Sequence, residues 1–151
     1  MNSDSLKYVL REFVDRPLPE SKPRDLSLPT DSGKVIGLSG VRRCGKTFLF
    51  FDTVRRLVAS GIDRRRIVYL NFEDDRLQPV EPSELDLVLR SLREVFPETA
   101  TGRLYLFLDE VQSAPGWERW VRRLCDTENV SVFVTGSSSR CLLYTSPSPR
   151  D

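Results

Sequence analysis

The chain has 151 residues, with 23 Lys+Arg against 22 Asp+Glu and a formal net charge of +1. That length holds one domain, and the near-neutral balance gives no sign of a basic nucleic-acid stripe or an acidic tail. There is no histidine, so Ser-His-Asp and Cys-His catalysis are excluded, and any chemistry must use carboxylates, lysine, arginine, hydroxyls or a carboxylate-bound ion.

In chain order, Leu6, Val9, Leu10, Phe13 and Val14 recur at helical spacing. Pro17, Pro19, Pro23 and Pro29 then stop regular structure and predict an extended lead-in. Lys34 to Ser39 reads as a short buried strand, Gly40 to Gly45 as a glycine-bearing loop, and Lys46 to Ser60 as a helix closed by Gly61. The alternation repeats. Arg66 to Phe72 is a strand, and Pro82 to Phe96 is a helix with Ser83 as candidate cap and Pro97 past its end. Leu104 to Leu108 is a third strand. Gly116 to Thr127 is a helix, with Trp117, Trp120, Val121 and Leu124 on one side. Val130 to Val134 is a fourth strand. Continuous apolar strands alternating with helices predict an α/β fold with a parallel sheet covered on both faces.

Cys141 to Asp151 reads as neither a helix nor a convincing strand. It resembles the translation of a sequencing adapter and is expected to be a non-native tail, which makes the domain cut short at its C-terminus. The expected division is residues 1–33 as N-terminal helix and proline-rich lead-in, 34–140 as an incomplete core, and 141–151 as tail. No apolar run approaches the ~18 residues of a membrane span, so no membrane partner is expected. Cys44, Cys125 and Cys141 have no metal spacing, and the first residues carry no secretory pattern. A reducing, cytoplasmic setting is expected. The basic residues are 19 Arg and 4 Lys, an excess read as coding bias rather than an anion-binding surface, because acidic residues balance it.

Gly40-Val41-Arg42-Arg43-Cys44-Gly45-Lys46-Thr47 fits G-x-x-x-x-G-K-[ST], with a strand before it and a helix after it. The pattern suits the phosphate chain of a nucleotide. Glycines let successive N–H groups turn inward as an anion nest, and the following helix aims its positive end at the same place. Lys46 would set an ammonium between the β- and γ-phosphates, and Thr47 would offer a hydroxyl oxygen to Mg²⁺. The expected nucleotide-contacting segment runs through Gly40, Val41, Arg42, Arg43, Cys44, Gly45, Lys46, Thr47 and Phe48. Arg42 and Arg43 can meet phosphate or a neighbouring subunit, or stand exposed. Cys44 reads as a small space-filling residue rather than a redox site.

Asp109-Glu110 ends the third strand at the rim where this loop lies. Asp109 is expected to hold Mg²⁺ through water, and Glu110 to polarise the attacking water. Thr135, with Ser137 and Ser138, ends the fourth strand, either as a γ-phosphate contact or as a cap for a following helix. The carboxylates of Asn71-Phe72-Glu73-Asp74-Asp75-Arg76 reach the same rim, either to assist the metal, to bind a partner, or as a polar strand-end loop. Arg64-Arg65-Arg66 reads as a solvated turn, and Trp117 and Trp120 as packing rather than a base-stacking platform.

These motifs together resemble the P-loop NTPases, in the group that adds a strand and carries a catalytic glutamate. More narrowly, the chain resembles the AAA-type ATPases of bacteria and archaea that usually precede a C-terminal domain of unknown function. The resemblance rests on the Gly40–Thr47 loop, Asn71-Phe72-Glu73-Asp74 with Arg76, Leu108-Asp109-Glu110-Val111-Gln112 with Pro115-Gly116-Trp117-Glu118, and Thr135-Gly136-Ser137-Ser138. It implies a three-layer fold of strand order 5-1-4-3-2, binding of ATP and Mg²⁺, and hydrolysis with Lys46 and Glu110 as catalytic residues and Thr47 and Asp109 at the metal. It also implies that Gln112 helps read the γ-phosphate. The family's fifth strand and further domain are not expected here, which would leave the Val35–Leu38 strand as a bare edge. Partners implied beside ATP are a second copy or a partner protein engaging the missing C-terminal part; nucleic acid stays open. The rival to a turning-over hydrolase is a nucleotide-dependent switch that hydrolyses rarely. A kinase would need an acceptor pocket, and GTP specificity an Asn-Lys-x-Asp motif; the sequence offers neither.

Overall fold

The computed structural model describes residues 1–18, 35–40, 46–137 and 142–146. Helix α1 (Ser3–Asp15) is capped by Asn2, whose side chain accepts from the Asp4 and Ser5 amides, and it buries Leu6, Val9, Leu10 and Phe13. Strand β1 (Val35–Gly40) precedes helix α2 (Lys46–Ala59). Strand β2 (Ile67–Asn71), helix α3 (Leu87–Val95), strand β3 (Leu104–Asp109), helix α4 (Trp117–Thr127), strand β4 (Val130–Ser137) and strand β5 (Leu142–Ser146) follow.

The sheet order is β2-β3-β4-β1-β5. Strands β1 to β4 are mutually parallel, as their continuous apolar character predicts. Strand β5 corrects two expectations. The segment read as neither helix nor strand runs antiparallel along β1, from Ser146 opposite Val35 to Leu142 opposite Ser39. The expected all-parallel sheet is therefore mixed, and the β1 edge is covered. An unpaired edge presents a row of free N–H and C=O groups; the five residues of β5 pair them.

The period-2 alternation of the strands sorts the core into two layers. Val68 and Leu70, Leu104, Leu106 and Leu108, and Val130, Val132 and Val134 pack with α1, α3 and α4. Ile67, Tyr69, Tyr105, Phe107 and Phe133 pack under α2. Each such side chain contributes about 1.5–3 kcal/mol on burial. Helix α1 serves both layers: Leu6, Val9 and Leu10 join the first, and Phe13 joins the second. No described helix is long and apolar enough to cross a membrane.

Three local readings are refined. The expected Pro82–Phe96 helix begins as a separate 3-10 turn, Pro82–Glu84, before α3. Glu84 rather than Ser83 organises that start: its carboxylate accepts the Glu81 amide at 2.8 Å and pairs with the Met1 ammonium at 2.8 Å. The arginine run is the surface turn expected, in 3-10 form with none of its residues buried, and it also joins elements. Arg64 donates to the Phe13 carbonyl and lies over the Phe13 ring at 5.2 Å. Arg65 pairs with Asp63 and Glu98, and Arg66 donates to the Thr101 carbonyl at 2.6 Å. Finally, α4 starts at Trp117 because Gly116 has φ 85°, and a Cβ there would sit 2.9 Å from Pro82 Cβ. A side chain would meet both the left-handed backbone and the proline.

Candidate functional site

Strand β3 ends on Asp109 at the C-terminal rim of the parallel strands, where open α/β sheets bind ligands. The residue is only 2 % exposed, and a buried carboxylate is costly unless it is satisfied by donors. Three hydroxyls satisfy it, one from each neighbouring element. Thr47, in the first turn of α2, donates to Oδ2 at 2.9 Å. Tyr69 of β2 donates to the same oxygen at 2.7 Å. Thr135 of β4 donates to Oδ1 in a short hydrogen bond. Register explains the convergence. Asn71 stands opposite Asp109, so Tyr69, two residues earlier, shares its face. Leu108 stands opposite Val134, which sets Thr135 beside Asp109.

Thr135 works twice, because its oxygen also accepts the Glu110 amide at 3.1 Å. Glu110 has φ 55° and ψ 52°, a left-handed conformation that costs a non-glycine residue roughly 1–2 kcal/mol. It turns the chain sharply out of β3 into the 3-10 turn Val111–Ser113. That turn returns Gln112 to Glu110, and the Gln112 amide donates to Glu110 Oε2 at 2.6 Å and approaches Glu73 Oε1 at 3.5 Å. Gly136 leaves room for this, since a Cβ there would stand 3.2 Å from Gln112 Oε1.

Burial, and then the charge of Asp109, pushes the Tyr69 phenol well above its ordinary value. It is a neutral hydroxyl donor throughout the physiological range. The Thr47 hydroxyl and Asp109 carboxylate are hard oxygen donors in direct contact. Among the described residues no group of three or more His, Cys, Asp or Glu could hold a metal. A cation held here would take its other ligands from water and phosphate, which suits Mg²⁺ and its retained water shell.

Thr47, Asp109, Glu110 and Thr135 are thus brought together, with Gln112 beside them. Gly40 ends β1 opposite Ser137. Val41, Arg42, Arg43, Cys44, Gly45, Ser138 and Cys141 lie outside the described residues, as do the side chains of Lys46 and Phe48 in the first turn of α2. Asp74 belongs to a different arrangement. It pairs with Arg76 at 2.7 Å, and Arg76 also pairs with Glu12 of α1 at 2.9 Å and lies over the Tyr8 ring at 5.6 Å. The hydrogen bonds of Arg76 hold both carboxyls below their usual range. Trp120 is buried and Trp117 packs against the same core, as read from the sequence. Cys125 is half-buried and free, and burial pushes its thiol up.

Tyr69 escaped the sequence reading. It looks like one more apolar member of Ile67-Val68-Tyr69-Leu70, and its only signal is position: it carries a hydroxyl on the strand face that ends at the rim with Asn71.

Comparison with known proteins adds the family. The family described as an AAA domain matches residues 32–150. An uncharacterized protein of Methanocaldococcus jannaschii is 34% identical over 119 residues, covering 79% of this chain and 24% of its own length. An uncharacterized protein of Haemophilus influenzae is 35% identical over 113 residues, covering 75% of this chain and 27% of its own. A second Methanocaldococcus jannaschii protein, also uncharacterized, is 27% identical over 132 residues, covering 87% and 25%. The chain therefore spans about a quarter of the length of the curated relatives it matches. No solved structure matches it significantly.

Proposed function

The chain belongs to the AAA domain family, a nucleotide-binding, ATPase-like class, and on that premise we propose that it binds ATP with Mg²⁺ and hydrolyses it at the Asp109 rim. The observation that carries this reading is the contact between Thr47 and Asp109, which joins the end of the phosphate-loop motif to the carboxylate ending β3. By giving its proton to Asp109, the Thr47 hydroxyl leaves its lone pairs free toward a cation. Mg²⁺, when bound, would supply positive charge to the phosphate oxygens as they gain negative charge.

The remaining work falls to the chain. In this proposal Lys46 adds a positive charge at the β- and γ-phosphates. Glu110, whose backbone is fixed by Thr135, orients water and accepts its proton as the water oxygen bonds to the γ-phosphorus, while the bond from that phosphorus to the β,γ-bridging oxygen breaks and ADP leaves with its electron pair. A slower, switch-like use has its own support: the Gln112 amide occupies Glu110 Oε2, and an oxygen so engaged is a weaker base.

The test is Glu110→Gln. Nucleotide affinity in Mg²⁺, measured with a fluorescent ATP analogue, is expected to stay near the wild-type value. Phosphate release is expected to fall ~10²–10⁴-fold. Equal phosphate release by wild type and variant would remove Glu110 from the chemistry. Absence of wild-type Mg-ATP binding would overturn the proposal as a whole.

A further inference from the structure

Tyr69 is not part of the phosphate-loop pattern or of the Asp-Glu pair, yet it touches the carboxylate on which the proposed site turns. Its hydroxyl reaches Asp109 Oδ2 at 2.7 Å, the same oxygen that Thr47 reaches at 2.9 Å. The position of that hydroxyl is set by its ring, and the ring is held by two helices. Phe13 of α1 lies 5.6 Å away, centroid to centroid, and Phe51 of α2 lies 5.1 Å away. Aromatic contacts at these separations are favourable and directional, so the phenol is aimed before any ligand arrives.

A carboxylate offers about four lone-pair positions. Among the described residues, Tyr69 and Thr47 take both positions on Oδ2, and Thr135 takes one on Oδ1. Without the phenol, Asp109 would have the freedom to rotate about its side-chain bond, and the Thr47 proton would lose a fixed acceptor. The Thr47 oxygen would then face the cation site in a less defined orientation.

We propose that Tyr69 is a positioning residue for the metal site: its hydroxyl, fixed by Phe13 and Phe51, holds Asp109 Oδ2 where it receives the Thr47 proton, and thereby sets the Mg²⁺ requirement of nucleotide binding. The inference rests on the ATP-binding reading above and adds to it a residue outside the recognised motifs.

The experiment is Tyr69→Phe, which keeps the ring contacts and removes only the hydroxyl. Binding of a fluorescent ATP analogue is titrated with Mg²⁺ and, separately, with the cation chelated. Thermal unfolding is followed without nucleotide. The expected result is a rise of about tenfold in the Mg²⁺ concentration for half-maximal binding, the scale of one hydrogen bond to a charged group. Chelated binding is expected to be unchanged. In an Asp109→Asn background the same substitution is expected to add no further shift.

A wild-type Mg²⁺ titration in Tyr69→Phe overturns the proposal while leaving ATP binding intact. Equal weakening with and without Mg²⁺, together with a lowered melting temperature, overturns it in favour of a packing role. A full shift persisting in Asp109→Asn overturns the route through Asp109. If the wild-type chain binds no nucleotide in Mg²⁺, the ATP-binding reading fails first and this inference falls with it.

Discussion

Along β3, Leu104, Leu106 and Leu108 pack with α1, α3 and α4, whereas Tyr105 and Phe107 lie under α2 and Asp109 continues their face to the rim. The two faces differ in kind. The strand residues on the first face are aliphatic, with Phe72 and Trp120 packed among them, and aliphatic contacts are non-directional and tolerate small adjustments. Those on the second are mainly aromatic, Tyr69, Tyr105, Phe107 and Phe133 beside Ile67. Phe107 and Phe133 stack at 4.5 Å with ring planes 4° apart, and Phe50 meets Phe107 edge-on at 5.3 Å. Rings constrain orientation as well as distance, and this face ends in the hydroxyl–carboxylate cluster. One face mainly supplies stability; the other adds a fixed platform beneath a polar site. Substitutions on the two should therefore have separable effects.

The largest expected effect on stability is on the aliphatic face. Leu106 is fully buried, and Leu106→Ala should cost about 2–5 kcal/mol of unfolding free energy through lost burial and the cavity left behind. Chemical denaturation measures it. Below the new melting temperature, the Mg²⁺ requirement for nucleotide binding should be that of the wild type. A changed requirement would show that the two faces are not independent.

Thr135→Val on the opposite face keeps the side-chain shape. It removes the donor to Asp109 Oδ1 and the acceptor for the Glu110 amide. The buried amide left without its partner should cost about 1–3 kcal/mol, less than the leucine cavity. Yet this variant, unlike Leu106→Ala, should lose phosphate release and raise the Mg²⁺ requirement under conditions where it remains folded. If it loses only stability, the cluster is structural and the contrast between the faces collapses.

The same contrast governs what the sequence could reveal. Strands β1 to β4 and helices α1, α2 and α4 follow from apolar periodicity, because burial is what sets their spacing. Asp109 and Glu110 were legible because a charge at the end of an apolar run is conspicuous, and Thr47 because it closes a motif. Tyr69 was not, since a tyrosine inside a strand has the same pattern whether its hydroxyl faces water or a carboxylate. Strand β5 was missed for a different reason. Pairing to an open edge is decided by what β1 lacks, a non-local fact that Leu142-Leu143-Tyr144-Thr145-Ser146 does not itself display. The left-handed Glu110 is also held by a tertiary contact, the hydrogen bond its backbone N–H donates to the Thr135 hydroxyl, rather than by local preference.

Among the described residues, α1 is the one helix that reaches both faces, and its ties to the rim give the smallest of these effects. Arg76 joins Glu12 of α1 to Asp74 after β2. Because Arg76 is 40% exposed, water and salt screen the pairs, and Arg76→Ala should cost only about 0.2–1 kcal/mol at neutral pH. The pH dependence has a definite sign. Both carboxyls sit below their ordinary values of 4.5 and 3.8 in the folded chain, so their contribution is complete above those values and is lost as pH falls through the lower, folded ones. Denaturation of wild type and variant should therefore differ at pH 7 and converge in acid, and added salt at pH 7 should narrow the same gap. A gap that persists in acid would place the role of Arg76 in its packing over Tyr8 instead. The Mg²⁺ requirement should not move, because the Phe13 contact that reaches Tyr69 is anchored by buried packing rather than by this pair. Were it to move, a surface charge on α1 would be acting on Asp109 through Phe13 and Tyr69, and the aromatic face would be a transmitting element rather than a fixed platform.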